Sequence, residues 1–175
     1  MSIRLGPLRP RDRARVAELL LSTAVFSPDE IDVALQLFDA TIRHEGATGA
    51  DDAHMPDYEF TGAFDGERLL GYACAGPTPA TEGTFDLYWL AVDAAAQGKG
   101  IGTTLVRAVE RELRDRGTRM LLVETSSRPD YSNTRAFYAR CGYTEAARIR
   151  DFYAPVDDRI MLTTRLTPER GAATR

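Results

Sequence analysis

The sequence predicts an α/β (α+β) protein built on one mixed sheet of six or seven strands, flanked by about four helices. Three observations predict this class. Apolar residues recur at the helical period in several segments. Short β-branched and aromatic runs lie between those segments and predict strands. One such strand leads through a glycine-rich turn, residues 97–102, into a helix, so the predicted order is β-α-α-β-β-β-α-β-α-β-β.

The first half of the chain is predicted to contain a strand, two helices and a hairpin. Ser27, Pro28 and Glu30 predict the start of the second helix, because they supply a capping hydroxyl, a proline at the first helical position and a glutamate three residues after the cap. Asp65 and Gly66 predict the turn of the hairpin. The predicted strands are residues 3–8, 58–64 and 68–77, and the first helix is residues 11–21, with Val16, Leu19 and Leu20 on one face.

The second half is predicted to contain four strands and two helices. The strands are residues 85–92, 120–124, 143–150 and 160–166, and the helices are residues 100–116 and 133–140. Gly117 predicts the end of the first of these helices, and Ser132 or Asn133 is expected to cap the second. We find no internal repeat or linker, so we expect a single domain over residues 1–166 and a frayed tail over residues 167–175.

Composition argues against several classes of partner. The 175-residue chain has 22 basic and 26 acidic residues, a net charge of −4 and no basic block, so we expect no nucleic-acid binding. No apolar run approaches the roughly 20 residues of a membrane span, and the charged N-terminus is unlike a secretory signal. We therefore expect a cytoplasmic protein without membrane attachment, in which Cys74 and Cys141 are free thiols.

The glycine-rich turn predicts an anion site. Backbone N–H groups converge where a strand passes through glycines into a helix, and the helix dipole favours negative charge there. The spacing of Gly98, Lys99 and Gly100 fits neither a P-loop nor a dinucleotide fingerprint. Gln97-x-x-Gly100-x-Gly102 does fit [QR]-x-x-G-x-[GA], the pyrophosphate loop of acyl-coenzyme A proteins. The alternative is a glycine-rich turn that binds no ligand.

Two longer segments carry a wider resemblance. They are LYWLAVDAAAQGKGIGTTLV, residues 87–106, and NTRAFYARCGY, residues 133–143. Together with the helices before the hairpin and the three strands before the turn, they are similar to the GCN5-related N-acetyltransferase (GNAT) superfamily, over most of the chain to about residue 166. Ala94 departs from the pattern, because relatives often carry proline there. The resemblance implies a mostly antiparallel sheet with a splayed pair of strands.

The same resemblance implies acetyl-coenzyme A as co-substrate. Its pantetheine arm would pair with the strand backbone before the turn, its pyrophosphate would accept hydrogen bonds from the amides of the turn, and an asparagine would contact the middle of the arm. The implied cofactor-binding residues are Leu90, Ala91, Val92, Gln97, Gly98, Lys99, Gly100, Ile101, Gly102, Thr103 and Asn133.

Acetyl transfer to an amine needs a base for the ammonium proton and an acid for the departing thiolate. By resemblance Tyr138 is the expected acid, and the alternative is a core tyrosine. Asp86 is the first candidate for the base, since it shares a predicted strand face with Leu90, and the alternative is a solvated acid. Glu124, at the end of an apolar strand, is the second candidate, and its alternative is an ion pair with a nearby arginine.

Other chemistry-bearing residues fit structural roles. Cys141 is interpreted as a small buried thiol and not as a nucleophile. His44 and His54 have no cysteine or acid at ligand spacing apart from the acids of the neighbouring loop, so we expect no metal. Trp89 is interpreted as a core residue.

The acceptor remains an unidentified primary amine of a small molecule or peptide. We expect its pocket to be built from the second helix, residues 45–57 and residues 150–158, the last of which offers Phe152 and Tyr153 to a cationic amine. The alternative for residues 150–158 is a plain hairpin connection. The protein is expected to be a monomer or homodimer. Two other functions stay open, namely a non-catalytic acyl-coenzyme A binding domain, and transfer of another acyl group or to an oxygen acceptor.

Overall fold

The computed structural model describes residues 2–44 and 58–167, which form seven strands and four α-helices. The elements are β1 Ile3–Pro7, α1 Arg13–Thr23, α2 Pro28–His44, β2 Glu59–Asp65, β3 Arg68–Pro77, β4 Thr84–Val92, α3 Ile101–Asp115, β5 Met120–Ser126, α4 Ser132–Arg140, β6 Thr144–Ala154 and β7 Asp157–Arg165. Short 3-10 helices are Pro10–Asp12, Ala94–Ala96 and Pro129–Tyr131. The predicted α/β class, element order and number of helices are confirmed.

The strands are ordered β1-β2-β3-β4-β5-β7-β6. The pairs β1–β2, β2–β3, β5–β7 and β7–β6 are antiparallel, and β4 pairs with β5 in parallel. That parallel register joins residues 84–86 to residues 120–122. The rest of β4, residues 87–92, continues beyond the paired register and leads into the glycine-rich turn.

The chain forms two compact units. One comprises Met1–Gly76 and Tyr88–Arg107, and the other comprises Pro77–Leu87 and Ala108–Arg175. Strand β4 and helix α3 each contribute residues to both units. The predicted tail lies outside the described residues from position 168 onward, and so does the predicted loop over residues 45–57.

The first unit buries one apolar face of each of its helices. Helix α2 begins with the predicted capping box, in which the N–H of Ser27 donates to Oε2 of Glu30 over 2.7 Å and the N–H of Glu30 donates to Oγ of Ser27 over 3.3 Å. These bonds satisfy N–H groups that a helix start otherwise leaves unpaired. The buried residues of this core are Leu8, Val16, Leu19, Leu20, Ile31, Ala34, Phe38, Ile42, Phe60, Phe64, Leu69, Tyr72, Cys74 and Ala91.

The β2–β3 hairpin turns one residue later than the sequence suggests. Asp65 pairs with Arg68, so the turn residues are Gly66 and Glu67. Gly66 has a φ of 59°, in the left-handed region that glycine adopts without a steric cost. The predicted hairpin is therefore confirmed with a shifted turn.

In the second unit, helix α3 ends as predicted. Gly117 has a φ of 80°, its N–H donates to the carbonyl of Arg114 over 3.0 Å, and the N–H of Thr118 donates to the carbonyl of Leu113 over 3.0 Å. This pair of bonds satisfies carbonyls at the helix end. The buried apolar residues of this unit include Leu87, Val109, Leu113, Leu121, Val123, Tyr138, Cys141, Tyr143, Ile160 and Leu162.

Two predictions of local structure are wrong. Neither Ser132 nor Asn133 caps α4: the 3-10 turn Pro129–Tyr131 precedes it, and Tyr131 occupies the cap position without a hydrogen bond from its side chain to the helix start. The proline-initiated turn already fixes the chain before Ser132, which becomes the first helical residue. Strands β6 and β7 are also longer than predicted and are joined by Pro155 and Val156. All 11 residues of β6 are exposed, so burial imposes no alternating pattern that would mark its end.

Within the described residues, no helix is both long enough and apolar enough to cross a membrane.

Candidate functional site

The glycine-rich turn is an exposed loop between two buried anchors. Ala96 and Ile101 are buried on either side of it, and residues 97–100 are exposed. Gly98 and Gly100 have φ values of 74° and 80°, and a Cβ added to either would meet no atom within 4 Å. The backbone conformation therefore favours glycine at both positions, while the space beside them is open.

The first turn of α3 follows directly after these two glycines. The residues are Ile101, Gly102 and Thr103, whose N–H groups have no acceptor within their own helix. The first turn contains no acidic residue that would oppose an anion. The N–H of Thr104 donates to the carbonyl of Gly100 over 2.9 Å, so the helical ladder begins at Gly100. This geometry is that of an anion site at a helix N-terminus.

Both long side chains of the turn fold back onto the chain that precedes it. Nε2 of Gln97 donates to the carbonyl of Val92 over 3.3 Å. Nζ of Lys99 donates to the carbonyl of Ala95 over 3.0 Å. Gln97 therefore braces the turn against the end of β4, and Lys99 holds its positive charge at the carbonyl of Ala95.

The strand residues before the turn are fixed against β3. The N–H of Asp93 donates to the carbonyl of Leu70 over 2.8 Å. A Cβ on Gly71 would lie 2.8 Å from the carbonyl oxygen of Ala91, so the two strands approach closely. Ala91 is buried, whereas Leu90 and Val92 are half-buried.

Asp93 is a residue of this region that the sequence analysis missed. Its Oδ1 accepts from the N–H of Ala95 over 2.9 Å, and its Oδ2 accepts from the guanidinium groups of Arg15 and Arg68. The N–H of Ala95 and the guanidinium of Arg15 hold the pKa of the Asp93 carboxyl below its ordinary value. The available signal was an aspartate directly before a short helical run, which is a common N-cap.

In the second unit, Asp86 lies on β4 beside Leu122 of β5. It is half-buried, and its Oδ2 accepts a hydrogen bond of 2.6 Å from Oγ1 of Thr78. Asp86 is therefore not merely a solvated acid at the start of a strand. Glu124 lies two residues beyond Leu122, so the structure brings the two candidate bases onto neighbouring strands.

Glu124 is held by two side chains. Oη of Tyr153 donates to its Oε1 over 2.5 Å, and the guanidinium of Arg159 pairs with its Oε2. The guanidinium of Arg159 also lies over the ring of Phe152, 4.9 Å from its centroid. Burial and the bond to Glu124 raise the pKa of Tyr153, so this hydroxyl stays protonated. The ion pair that the sequence left open for Glu124 is present, with Arg159 as partner.

Tyr138 is a buried residue of α4. Only 4% of its surface is exposed, and its ring packs edge-to-face on Phe137 and Tyr143 with centroids 5.1 and 5.3 Å away. Burial raises the pKa of its phenol above the usual value near 10. Tyr138 therefore keeps its proton at neutral pH, as an acid requires. Asn133 is exposed in the first turn of the same helix.

Residues 150–158 form a hairpin end stabilised by its own acids. The Oδ1 of Asp158 accepts from the N–H of Asp151 over 3.0 Å, and the Oδ1 of Asp151 accepts from the N–H of Val156 over 2.6 Å. The N–H of Asp158 donates to Oγ of Ser127 over 2.8 Å, which ties the hairpin to the end of β5. These bonds hold Asp151 and Val156 at φ values of 50° and 61°. The segment is a hairpin, the alternative that the sequence left open, and it presents Phe152 and Tyr153 nearly half exposed.

The remaining candidates have structural roles. Cys74 and Cys141 are buried free thiols, as predicted. Trp89 packs against the core of the first unit, which confirms its interpretation as a core residue. His54 lies outside the described residues, and the part of the chain that the structure describes contains no group of three potential metal ligands.

Comparison with known proteins identifies the family. Residues 26–143 match the sequence model of the Acetyltransferase (GNAT) family, which is more than half of the chain. The chain belongs to the GNAT acetyltransferase family. Membership of the GNAT family makes the protein an acetyltransferase.

Solved structures of GNAT proteins are similar over nearly the whole chain. One is a protein of the GNAT family from Desulfovibrio desulfuricans, 38% identical, with a TM-score of 0.85, and the match covers 95% of this chain and 100% of that chain. The ribosomal-protein-S18-alanine N-acetyltransferase of Escherichia coli is 18% identical, with a TM-score of 0.73 and 99% of both chains covered. The PaiA N-acetyltransferase of Thermoplasma acidophilum, solved with coenzyme A, is 18% identical, with a TM-score of 0.66 and coverage of 92% and 98%. No curated protein matches the sequence.

Proposed function

We propose that this GNAT protein transfers the acetyl group of acetyl-coenzyme A to a primary amine of a small molecule or peptide. The observation that carries the donor assignment is the glycine-rich turn. Gly98 and Gly100 adopt left-handed conformations, the space beside them is open, and the N–H groups of Ile101, Gly102 and Thr103 face no acceptor of their own helix. Such a turn suits the pyrophosphate of coenzyme A.

The strand before the turn supports the second part of the donor assignment. A pantetheine arm carries amides that need β-like hydrogen-bond partners, and the backbone of Leu90, Ala91 and Val92 is extended. The exposed Asn133 is proposed to contact the arm, as the family resemblance implies.

The transfer itself is proposed to proceed by direct attack. Asp86 accepts the proton of the acceptor ammonium, and the freed amine attacks the thioester carbonyl carbon. A strand N–H near Leu90 stabilises the oxyanion. As the carbon–sulfur bond breaks, Tyr138 donates its proton to the thiolate and the attacking nitrogen loses its second proton to solvent, which leaves an amide and coenzyme A. Tyr138 then recovers a proton from solvent and Asp86 releases the proton that it took, so that one proton is set free for each acetyl group transferred.

Asp86 stays the first candidate for the base because it lies on β4, the strand that also carries Leu90. Both oxygens of Glu124 already accept hydrogen bonds, one from Tyr153 and one from Arg159. To act as a base, Glu124 would have to give up or share one of these bonds. We therefore place Glu124 second and assign it to the shape and charge of the acceptor site.

The donor assignment is tested by paired substitutions at Gly100. Asparagine and aspartate both tolerate a left-handed φ better than other residues and have the same shape, so Gly100→Asn controls for backbone strain while Gly100→Asp adds only the charge. We expect coenzyme A to raise the melting temperature of the wild type and of Gly100→Asn. We expect it to leave the melting temperature of Gly100→Asp unchanged. Equal shifts in both variants would reject the pyrophosphate assignment.

Activity is tested separately with pooled primary amines and acetyl-coenzyme A, by following the released thiol. Release that depends on the amine supports the transferase. If the wild type binds coenzyme A but acetylates none of a broad set of amines, the non-catalytic binding domain is favoured. If hydroxyl compounds alone release thiol, the acceptor is an oxygen.

A further inference from the structure

Asp93 occupies the junction between β4 and the glycine-rich turn. It is an acid with only 7% of its surface exposed, and its N–H donates to the carbonyl of Leu70 on β3. Its Oδ1 accepts from the N–H of Ala95 over 2.9 Å, and its carbonyl accepts from the N–H of Ala96 over 2.8 Å. Asp93 therefore fixes the start of the 3-10 turn through both its backbone and its side chain.

Two arginines from other elements hold the second oxygen of this carboxylate. Nη2 of Arg15, on α1, and Nη2 of Arg68, at the start of β3, both donate to Oδ2 of Asp93, the latter over 3.1 Å. Arg15 is itself fixed, because its Nε donates to the carbonyl of Leu69 over 3.0 Å and its Nη1 pairs with Glu18 over 2.8 Å. The carboxylate is thus held from both sides.

Ala95 connects this cluster to the turn. Its N–H is bound by Asp93 and its carbonyl accepts the ammonium of Lys99 over 3.0 Å. A displacement of Asp93 would therefore move the partner of Lys99, which lies between Gly98 and Gly100. The cluster and the turn form one chain of hydrogen bonds.

The charges of the cluster explain why an acid is tolerated there. An isolated carboxylate next to a pyrophosphate site would repel the ligand. Two guanidinium groups on the same oxygen offset that charge while leaving Oδ1 to cap the turn. The arrangement supplies a strong N-cap without the electrostatic penalty to an anionic ligand.

We propose that Asp93, held by Arg15 and Arg68, is the positioning residue that sets the geometry of the turn for the pyrophosphate of the donor. This inference rests on the proposed function. It assigns to Asp93 a role in binding and none in chemistry, so it predicts an effect confined to ligands that carry the pyrophosphate.

Two ligands separate this role from a general structural one. Coenzyme A carries the pyrophosphate, and pantetheine is the same arm without it. In Asp93→Asn we expect the dissociation constant for coenzyme A, measured by calorimetry, to rise at least about tenfold, the scale expected when a charge-assisted hydrogen bond that orders a binding loop is lost. We expect the dissociation constant for pantetheine, measured by NMR titration, to stay within about twofold of the wild type.

The direction in which Asp93→Asn changes the affinity for coenzyme A separates a positioning role from a purely electrostatic one. Asp93→Asn removes a negative charge near a proposed anion site, so a purely electrostatic role would strengthen coenzyme A binding. Unchanged or tighter binding of coenzyme A overturns the proposal, and so does an equal loss for both ligands. If the wild type binds no coenzyme A, the proposed function fails instead.

Two further variants keep the test interpretable. Asp39→Asn breaks an exposed pair with Arg13 of 2.6 Å between α1 and α2, and it should leave coenzyme A binding unchanged. Arg68→Gln removes one guanidinium from Asp93 on a side chain that is 65% exposed, so it should fold even if Asp93→Asn does not. In Arg68→Gln we expect a smaller loss of coenzyme A affinity than in Asp93→Asn, again with the affinity for pantetheine unchanged. A coenzyme A affinity equal to that of the wild type would count against the proposal.

Discussion

The hydroxyl of Tyr153 donates a 2.5 Å hydrogen bond to Oε1 of Glu124, while the guanidinium of Arg159 binds the other oxygen. Three strands contribute to this cluster, because Glu124 lies on β5, Tyr153 on β6 and Arg159 on β7. The carboxylate is therefore fixed in place by the sheet. Fixation suits a residue that shapes a binding surface, whereas a base must exchange a proton with its substrate.

The roles of the two candidate bases can be separated by amide substitutions. We expect Asp86→Asn to lower kcat by on the order of a hundredfold, because a positioned base contributes about that much. We expect Glu124→Gln to lower kcat by less than about tenfold and to raise the KM of a cationic acceptor. Steady-state rates at neutral pH measure both, once an acceptor is known.

Coenzyme A affinity is the control for this comparison, since neither substitution touches the glycine-rich turn. A larger fall in kcat for Glu124→Gln than for Asp86→Asn would reverse the assignment. Near-normal rates in both variants would mean that water takes the proton.

The close approach of β3 to β4 predicts that a side chain added at Gly71 destabilises the fold. A Cβ on Gly71 would lie 2.8 Å from the carbonyl oxygen of Ala91 and 3.2 Å from Cα of Val92, and backbone atoms of a strand yield little. We expect Gly71→Ala to lower the free energy of unfolding by about 1–3 kcal/mol, the usual cost of overpacking. Urea denaturation measures the change.

Gly6→Ala is the matched control, because its Cβ would meet only the guanidinium of Arg4, the flexible end of a side chain, with Nη1 at 2.8 Å and Cζ at 3.9 Å. We expect a change of less than about 0.5 kcal/mol there, as at ordinary surface positions. Equal destabilisation by the two substitutions would show that the spacing of β3 and β4 does not limit stability.

Asp93 also predicts a pH dependence of stability. Its hydrogen bond from Ala95 and its arginine partners hold the pKa of the folded state below the ordinary value of 3.8. A lowered folded pKa stabilises the protein fully above the unfolded pKa, and this contribution is lost as the pH falls through the folded pKa. We expect the stability difference between wild type and Asp93→Asn to be constant from pH 7 to about pH 5, and to shrink below about pH 4.

Urea denaturation at a series of pH values checks this expectation. A difference that stays constant down to pH 3 would mean that the charge of Asp93 contributes nothing to stability. A difference that grows as the pH falls would have the wrong sign for a lowered pKa.

Signals that act over a few residues were readable from the sequence. The capping box of α2 needs only Ser27 and Glu30, and the end of α3 needs only the left-handed Gly117. The glycine-rich turn belongs to the same class, since its conformation is set by Gly98 and Gly100 themselves. Predictions that rest on such local signals placed most of the helices and strands correctly.

Contacts between side chains that are distant in sequence could not be predicted from the sequence. Asp93 is 78 residues from Arg15 and 25 from Arg68, and Glu124 is 29 residues from Tyr153. With 22 basic residues in the chain, no spacing rule selects the one that reaches a given acid. The sequence could name Glu124 as a candidate for an ion pair, but only the fold of β5, β6 and β7 chooses Arg159.

Tyr138 gives the most discriminating test of the proposed chemistry. A phenol that protonates the departing thiolate acts only as the thioester breaks, so it stabilises the transition state more than the ground state. Tyr138→Phe keeps the ring contacts with Phe137 and Tyr143. We expect kcat to fall by roughly ten- to a thousandfold, about 1.4 to 4 kcal/mol of barrier, with the KM of both substrates nearly unchanged. Because burial raises the pKa of this phenol above its usual value near 10, ionisation of Tyr138 should cause no loss of wild-type activity up to about pH 9.

Tyr143→Phe is the control for Tyr138→Phe, since Tyr143 is buried to 3% exposure and lies against the same ring, 5.3 Å between centroids. Its loss of a hydroxyl should change the melting temperature but leave kcat within about twofold, because it is given no part in the proton transfer. If Tyr138→Phe unfolds the protein, Tyr138 is a core residue, as the sequence left open. If Tyr138→Phe is stable and as fast as the wild type, a water or the acceptor itself protonates the thiolate. Equal rate losses in the two variants would show that packing around α4, and not the proton of Tyr138, limits turnover.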